Sequence, residues 1–455
     1  EHTTTNYAAR FPGVESLLGV SEERTLEGVL AESWEEDIEN LKITFKLREG
    51  IKFHNGKELT AEDIKKNFEY IKHSPATLRY NDFLDSIEVV DKNTVVFHLN
   101  RWHNQVIVEW GIIQIFDIDT IEAKGEGWAT TNLVATGPFI LKEFQRDVRS
   151  LWVRFDDYWQ EGKPYLDEVE YLYIPEQSTG AAMMEAGEAQ IWLGADGLNT
   201  KNLMDRGFVR QTGWGSSLNV LVPNTYDEDS PFQDIRVRQA LQHAIDKEAL
   251  CEALGYGLME PVHSIAPEGE WGGGKVYYEY NPDKAKQLLQ EAGYENGLDV
   301  PLLALVGSGG RNELAEAVAG QLEKIGIRCK IDIADAGRYY AETWNGVWEG
   351  LALGISGSAH DFLTGFQRWW GHNGIYKGFK RPEELLQKSR DALLVAETAE
   401  KIKITEEMVD MVMEGAYVVP LTYQLAGFIH DGTVHTNYLR QGNTRWDFAD
   451  VWLER

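Results

Sequence analysis

Eleven histidines, two cysteines and a surplus of acidic residues are the groups in this chain with the types needed for chemistry, so their spacing comes first. No two histidines stand four apart on a helical pattern, which removes the two-histidine zinc arrangement of a metallohydrolase. There is no G-x-S-x-G, no G-x-x-x-x-G-K-[ST] and no helix-opening G-x-G-x-x-G. Gly272-Gly-Gly274 lies between Trp271 and Lys275 and reads as a loop. Acidic pairs such as Glu35-Glu36 and Asp156-Asp157 read as solvated surface in so acidic a chain, not as a glycosidase dyad. Cys251 follows the helical run Val237–Leu250, and Cys329 falls in an apolar strand pattern over 327–333. They form no C-x-x-C unit and read as buried thiols, with a disulfide open to an exported protein. His372 is the histidine with the most suggestive setting. It stands in Trp369-Trp370-Gly371-His372-Asn373-Gly374, an aromatic loop able to reach into a cleft.

The aromatic residues are the stronger signal. The chain has 15 Trp, 19 Tyr and 17 Phe, many beside Gly, Asn or charge instead of in apolar periodic runs. Core packing takes most of them, and the remainder suit a wet cleft with aromatic walls. Position marks Trp110 and Gln114 in one segment, Trp214 before an apolar strand, and Tyr423 after another. Arg311 follows Gly309-Gly310 and reads as a helix-start surface residue. Two function classes fit these features: a solute-binding protein, or an acidic carbohydrate-active enzyme that stacks sugars on its aromatic residues. A formal charge of −29 opposes nucleic acid as a partner, because phosphate recognition needs clustered Lys and Arg.

The elements that must position these residues are mixed α and β. With 455 residues the chain exceeds one compact core, and two or more lobes are expected. Leu41–Leu47 alternates as a half-buried strand, and Thr94–Leu99 reads as another. Thr60 with Asp63 opens a helix whose face is Ile64, Phe68 and Ile71. Asp234 precedes a helix with Val237, Ala240, Leu241, Ala244 and Ile245 inside. Asn281-Pro282 opens a third helix, which Gly293 ends. Helices are also expected over 312–325, 382–395 and 398–414, with strands over 329–333, 416–423 and 427–429. Leu218–Pro223 and Tyr417–Leu421 read as paired crossings between lobes, the usual construction of a hinge.

Several runs together resemble one family. They are Leu30-Ala-Glu-Ser-Trp34, Phe45-Lys-Leu-Arg48, Gly50-Ile-Lys-Phe53-His-Asn-Gly56, Leu59-Thr-Ala-Glu-Asp63, Thr136-Gly-Pro-Phe139 with Tyr158-Trp159, Asp234-Ile-Arg-Val-Arg-Gln-Ala240 with Ala244-Ile-Asp-Lys247, and Tyr280-Asn-Pro-Asp-Lys-Ala285. Their order and spacing are similar to those of the peptide/nickel group of ABC-importer solute-binding proteins, family 5, across almost the whole chain. The resemblance implies an α/β fold of the two-lobed type II periplasmic-binding class. Residues 1–223 would form lobe one, with an extra subdomain at about 35–150. Residues 224–419 would form lobe two, and 420–455 would return to lobe one. It further implies a monomer that catalyses nothing, has no cofactor, and delivers a small solute to a membrane permease. Its place would be extracytoplasmic, either periplasmic or lipid-anchored. The chain begins in polar sequence, as a processed protein would.

The resemblance leaves the cargo open between a small peptide, a nickel chelate and another solute. In peptide-binding members an aspartate before a Phe-Leu pair holds the peptide's amino terminus. The matching stretch, Gly354–Leu363, is shorter and has no acid there, with Asp361 displaced next to Phe362. In nickel-chelate members a loop histidine after the same pair ligates the metal, which His372 would match. Their other contacts correspond to Tyr7 through Arg10, to Arg79 and Tyr80, and to Thr444 beside Trp446. An arginine that grips the chelator carboxylate appears here as Gln114, a neutral amide.

Overall fold

A computed structural model of the chain describes residues 10–71, 83–306, 311–357, 359, 361–437 and 446–454, with the side chains of 214–217 and 311 outside that description. The chain divides into two compact units. One comprises residues 1–194, 207–213 and 427–455, and the other 195–206 and 214–426.

In the first unit an antiparallel sheet runs in the order Ala31–Asp37, Lys42–Leu47, Thr94–Leu99, Leu84–Asp91. The alternation read from the sequence puts Ile43, Phe45 and Leu47 inward, all buried. Helix Ala61–Ile71 covers that face with Ile64 and Phe68. Phe97 meets Phe45 at 5.4 Å and Phe68 at 4.7 Å, both edge to face. Such a ring contributes about 1.5–3 kcal/mol by burial, which makes this cluster the anchor of the sheet. The start of the helix is tied by Asp63, whose carboxylate accepts from the Thr60 amide at 2.9 Å and the Thr60 hydroxyl at 2.7 Å. A second antiparallel sheet joins Phe139–Gln145, Arg149–Arg154 and Glu168–Leu172.

The second unit is built on central strands buried on both faces. Leu298–Leu305 runs parallel to Ile327–Ala334 and to Leu351–Ser356, and the latter is antiparallel to 218–223. Alternate residues go to opposite cores. Leu218, Val220, Val222, Leu303 and Ala352 enter one, while Leu221, Leu302, Ala304, Leu351 and Leu353 enter the other. This is why Leu218–Pro223 and Leu351–Ser356 read as near-continuous apolar runs, whereas the edge strand Ile327–Ala334 alternates with charge.

Strands Val209–Pro223 and Val419–His430 carry the chain from one unit to the other. Two of the divisions, after 213 and after 426, lie inside these strands. Each strand is long enough to serve both units. The patterns at 416–423 and 427–429 accordingly prove to be one strand. The run Val237–Leu250 is instead two helices, Ile235–Ala244 and Lys247–Leu254. Ile245 turns extended between them, and Asp246 caps the second by accepting from the Ala249 amide at 2.9 Å. Cys251 therefore lies within a helix. Both cysteines are free, and burial pushes the thiols up, to about 11 for Cys251 and about 12 for Cys329.

Candidate functional site

Two pockets among the described residues are each built within one unit. In the second unit the pocket opens at the carboxyl end of strand Leu351–Ser356, the end of a parallel strand where α/β folds place ligands. Helix Phe362–Trp369 follows, started by Asp361, whose side chain accepts from the Thr364 amide at 2.7 Å. Phe362, Phe366 and Trp369 stand four and three apart, so one face of the helix presents all three. With Leu218, Ile265, Pro267, Ser356, Gly357 and Trp370 they line roughly 270 Å³ of empty space, part of it open to solvent. The described lining is apolar apart from Ser356, the Trp indole and the chain's own backbone.

This wall is held rigidly. The Trp369 indole donates to the Gly357 carbonyl at 3.0 Å. Trp370 stacks on Tyr376 at 5.3 Å and 14°, and Trp369 stacks on the same ring at 6.1 Å. Tyr376 is buried and donates to the Ile355 carbonyl at 2.8 Å. A side chain at residue 354 would collide with the Tyr376 and Tyr339 hydroxyls, so only glycine fits there. Behind the loop, Arg381 donates to the carbonyls of Trp370, Phe379 and Tyr376 at 2.8, 3.1 and 3.2 Å. Burial lowers its pKa to about 10, which still leaves it charged at neutral pH.

In the first unit the pocket is lined by Phe11, Val14, Glu15, Ser16, Ile112, Gln114, Pro138, Trp446, Asp447 and Phe448, around roughly 410 Å³ of empty space partly open to solvent. A single antiparallel bridge sets Gln114 opposite Ser16, and the Ile115 amide donates to the Glu15 carbonyl at 2.9 Å. The Gln114 amide nitrogen is fully enclosed and meets no hydrogen-bond acceptor among the described residues. Glu15 accepts from the Tyr158 hydroxyl at 2.8 Å and the Trp159 indole at 3.1 Å. Burial outweighs these donors and, with Asp447 adding repulsion, pushes the carboxyl up to about 7. The Trp446 ring lies tilted against Phe448, with centroids 4.2 Å apart, and its indole donates to the Thr436 hydroxyl at 2.9 Å.

The residues expected from sequence fall into four groups. Gln114 and Trp446 come together in the first unit's pocket. Trp110 is corrected from wall to core: it is 2% exposed and packs against Phe68 and Phe97 at the end of an apolar helix. Arg10 is exposed before the turn Phe11–Gly13, Tyr423 is half-buried against a core of the second unit, and neither lines these two pockets. Tyr7, Arg79, Tyr80, Thr444 and the Trp214 side chain lie outside the described residues. His372 lies off the pocket lining, with its amide donating to the Ser389 hydroxyl at 2.7 Å and its Nδ1 3.1 Å from the same oxygen. Burial, then the charges of Arg390, Lys377 and Arg381, depress its pKa. Those same charges oppose a metal cation. Sequence reasoning missed Phe362, Phe366 and Glu15. The first two were legible as a helical stripe, which resembles a core face, whereas Glu15 carried no signal of its own.

Among the described residues, one cluster has metal-ligand types, Asp63, Asp117 and Asp119. Lys57 already sits among them, its ammonium 2.5, 3.0 and 2.7 Å from the three carboxylates. Burial opposes that charge, yet the carboxylates, Asp119 foremost, hold its pKa above the ordinary lysine value. The cluster is an internal ion-pair network.

Residues 25–377 match the model of the bacterial extracellular solute-binding proteins, family 5. The chain belongs to this family. Its family-5 relatives include heme-binding protein A of Haemophilus influenzae, 29% identical over 78% of this chain and 68% of that protein. The dipeptide-binding protein of Escherichia coli is 28% identical over 79% of this chain and 74% of that one. The Helicobacter pylori periplasmic binding protein DppA, solved with the peptide STSA, is 25% identical with a TM-score of 0.85, covering 100% of this chain and 95% of that one. The fold is thus the α/β, two-lobed type II periplasmic-binding fold. Family 5 comprises extracytoplasmic binding components of ABC importers, and no described helix is long and apolar enough to cross a membrane.

Proposed function

We propose that this family-5 protein captures a small peptide with an apolar or aromatic side chain and delivers it, as a monomer, to the permease of an ABC importer. The observation that carries this reading is the second unit's pocket. Its rigid walls of Phe362, Phe366, Trp369 and Trp370 can desolvate an apolar side chain at the carboxyl end of a β-strand. A nickel chelate fits less well. Gln114 brings no positive charge to a chelator carboxylate, and His372 is bonded to Ser389 among three cations. The relatives named for a dipeptide and solved with a peptide support the same choice.

Native mass spectrometry of the purified protein incubated with pooled tripeptides and, separately, with nickel-histidine tests this. Metal-free adducts at tripeptide masses, enriched in Phe, Leu and Trp, are expected. Retention of the nickel complex with no peptide adduct would overturn the reading.

A further inference from the structure

The second unit's pocket has two features that an apolar guest does not require. The first is a glycine inside its helix. Phe362, Gly365, Phe366 and Trp369 follow the spacing of one helical face, and all four line the space. Gly365 is buried there, its amide directed at the Asp361 carbonyl at 3.4 Å. Glycine loses the most backbone freedom in a helix, and alanine would serve the helix better. Its missing side chain leaves a notch in the wall between Phe362, Phe366 and Trp369, and a methyl group at 365 would enter the space that the pocket keeps open. The second feature is an oxygen. Ser356 stands opposite Leu218 in the strand register, both line the pocket, and Ser356 is only 4% exposed. Its hydroxyl is the one side-chain oxygen among the described lining residues. The Trp369 indole hydrogen is already given to the Gly357 carbonyl. A hydroxyl has one hydrogen and two lone pairs, so Ser356 keeps acceptor capacity for a ligand whatever its own hydrogen does. Covering that oxygen with hydrocarbon strips its water and returns nothing.

We infer that this pocket takes an aromatic side chain that carries a hydrogen-bond donor on its rim, the indole of tryptophan or the phenol of tyrosine. The notch at Gly365 gives the ring room, and Ser356 receives its N–H or O–H. This rests on the peptide reading and narrows it to one class of side chain. An aliphatic chain meets the walls without meeting the oxygen, and a phenylalanine ring covers the oxygen without supplying a donor. Tryptophan and tyrosine do both, being large apolar bodies with one polar handle. The walls are fixed in advance by the stack of Trp369 and Trp370 on Tyr376, so a ring gains contact without ordering its site. A site that hydrogen-bonds a guest's N–H or O–H discriminates against the analogue lacking it more sharply than a purely apolar site separates two hydrocarbons.

The test titrates the native protein by calorimetry with alanine-based tripeptides that carry Trp, Tyr, Phe or Leu at each of the three positions in turn. At the position that this pocket reads, the Trp and Tyr peptides are expected to bind about tenfold more tightly than the Phe peptide, as an oxygen left without a donor implies. Equal affinities for Tyr and Phe at every position overturn this inference and leave the peptide reading intact, whereas binding of none of the tripeptides overturns both. Ser356→Ala is expected to erase the preference for Tyr over Phe while the Phe peptide binds as before. A preference that survives this substitution overturns Ser356 as the acceptor. Gly365→Ala narrows the notch with a residue that the helix favours, so the melting temperature is expected to hold or rise while the Trp peptide binds about tenfold more weakly. Undiminished affinity for the Trp peptide in that variant overturns the role of the notch.

Discussion

The two pockets are built on opposite principles. In the second unit the wall is apolar, and polar groups work behind it: Arg381 ties down loop carbonyls so that Trp369, Tyr376 and Trp370 form a fixed stack. In the first unit the polar groups face the empty space, and aromatic rings frame them. The first arrangement suits selection by shape and desolvation, the second selection by charge and hydrogen-bond pattern. Each stores its cost differently. The apolar pocket depends on a buried cation fully supplied with acceptors, whereas the polar one holds a carboxyl that burial keeps protonated up to about pH 7.

Breaking the brace should have the largest effect. Arg381→Leu leaves several carbonyls without donors and is expected to cost about 3 kcal/mol in urea unfolding, with loss of the aromatic near-UV circular dichroism of the stack. A smaller change would mean that the loop is held by its packing alone. Glu15 gives a pH-dependent counterpart. Its carboxyl has a higher pKa folded than unfolded, so the native state keeps a proton that the unfolded chain loses above pH 4.5. Its contribution therefore turns unfavourable as pH rises from 4.5 to about 7, by up to about 3 kcal/mol. Glu15→Gln should flatten that decline, and thermal melts of both proteins across this range would reveal it. Identical pH profiles would mean that Glu15 is ionised at little cost.

Next in size, Trp369→Ala removes the accessible wall of the apolar pocket. A tripeptide with a central aromatic residue should bind about 30-fold more weakly, near 2 kcal/mol, while an alanine-rich one changes little. Equal losses for both would show that Trp369 acts through the fold instead of as a wall. The smallest effect is expected at His372. His372→Ala loses its ring contact with Ser389 and should shift peptide affinity by less than about 0.5 kcal/mol, whereas a hundredfold loss of nickel-chelate binding would restore its metal role.

Much of the fold was legible because its signals are local. Asp234 caps its helix through the Arg236 amide and Asn281 through the Lys284 amide, as residue type and position predicted. Thr94–Leu99 and helix Thr398–Glu414 have the bounds that their patterns give. The misreadings arose where a local pattern has two solutions. An apolar helical face continued across Ile245, and only the Asp246 cap divides it. Trp110 stood beside charge like a wall residue, and only packing against Phe97 identifies it as core.

The sequence by itself determined the family, the alternation of elements and the faces they bury, because hydrophobic period, caps and turn residues act over a few positions. The tertiary structure alone decided which distant groups meet. Glu15 receives the Tyr158 hydroxyl across 143 positions, Lys57 draws in Asp117 from 60 positions away, and Gln114 shares a pocket with Trp446. Those meetings set the charge state of Glu15 and leave the Gln114 amide without an acceptor among the described residues. Desolvation and hydrogen-bond satisfaction depend on neighbours in space, which spacing along the chain does not encode.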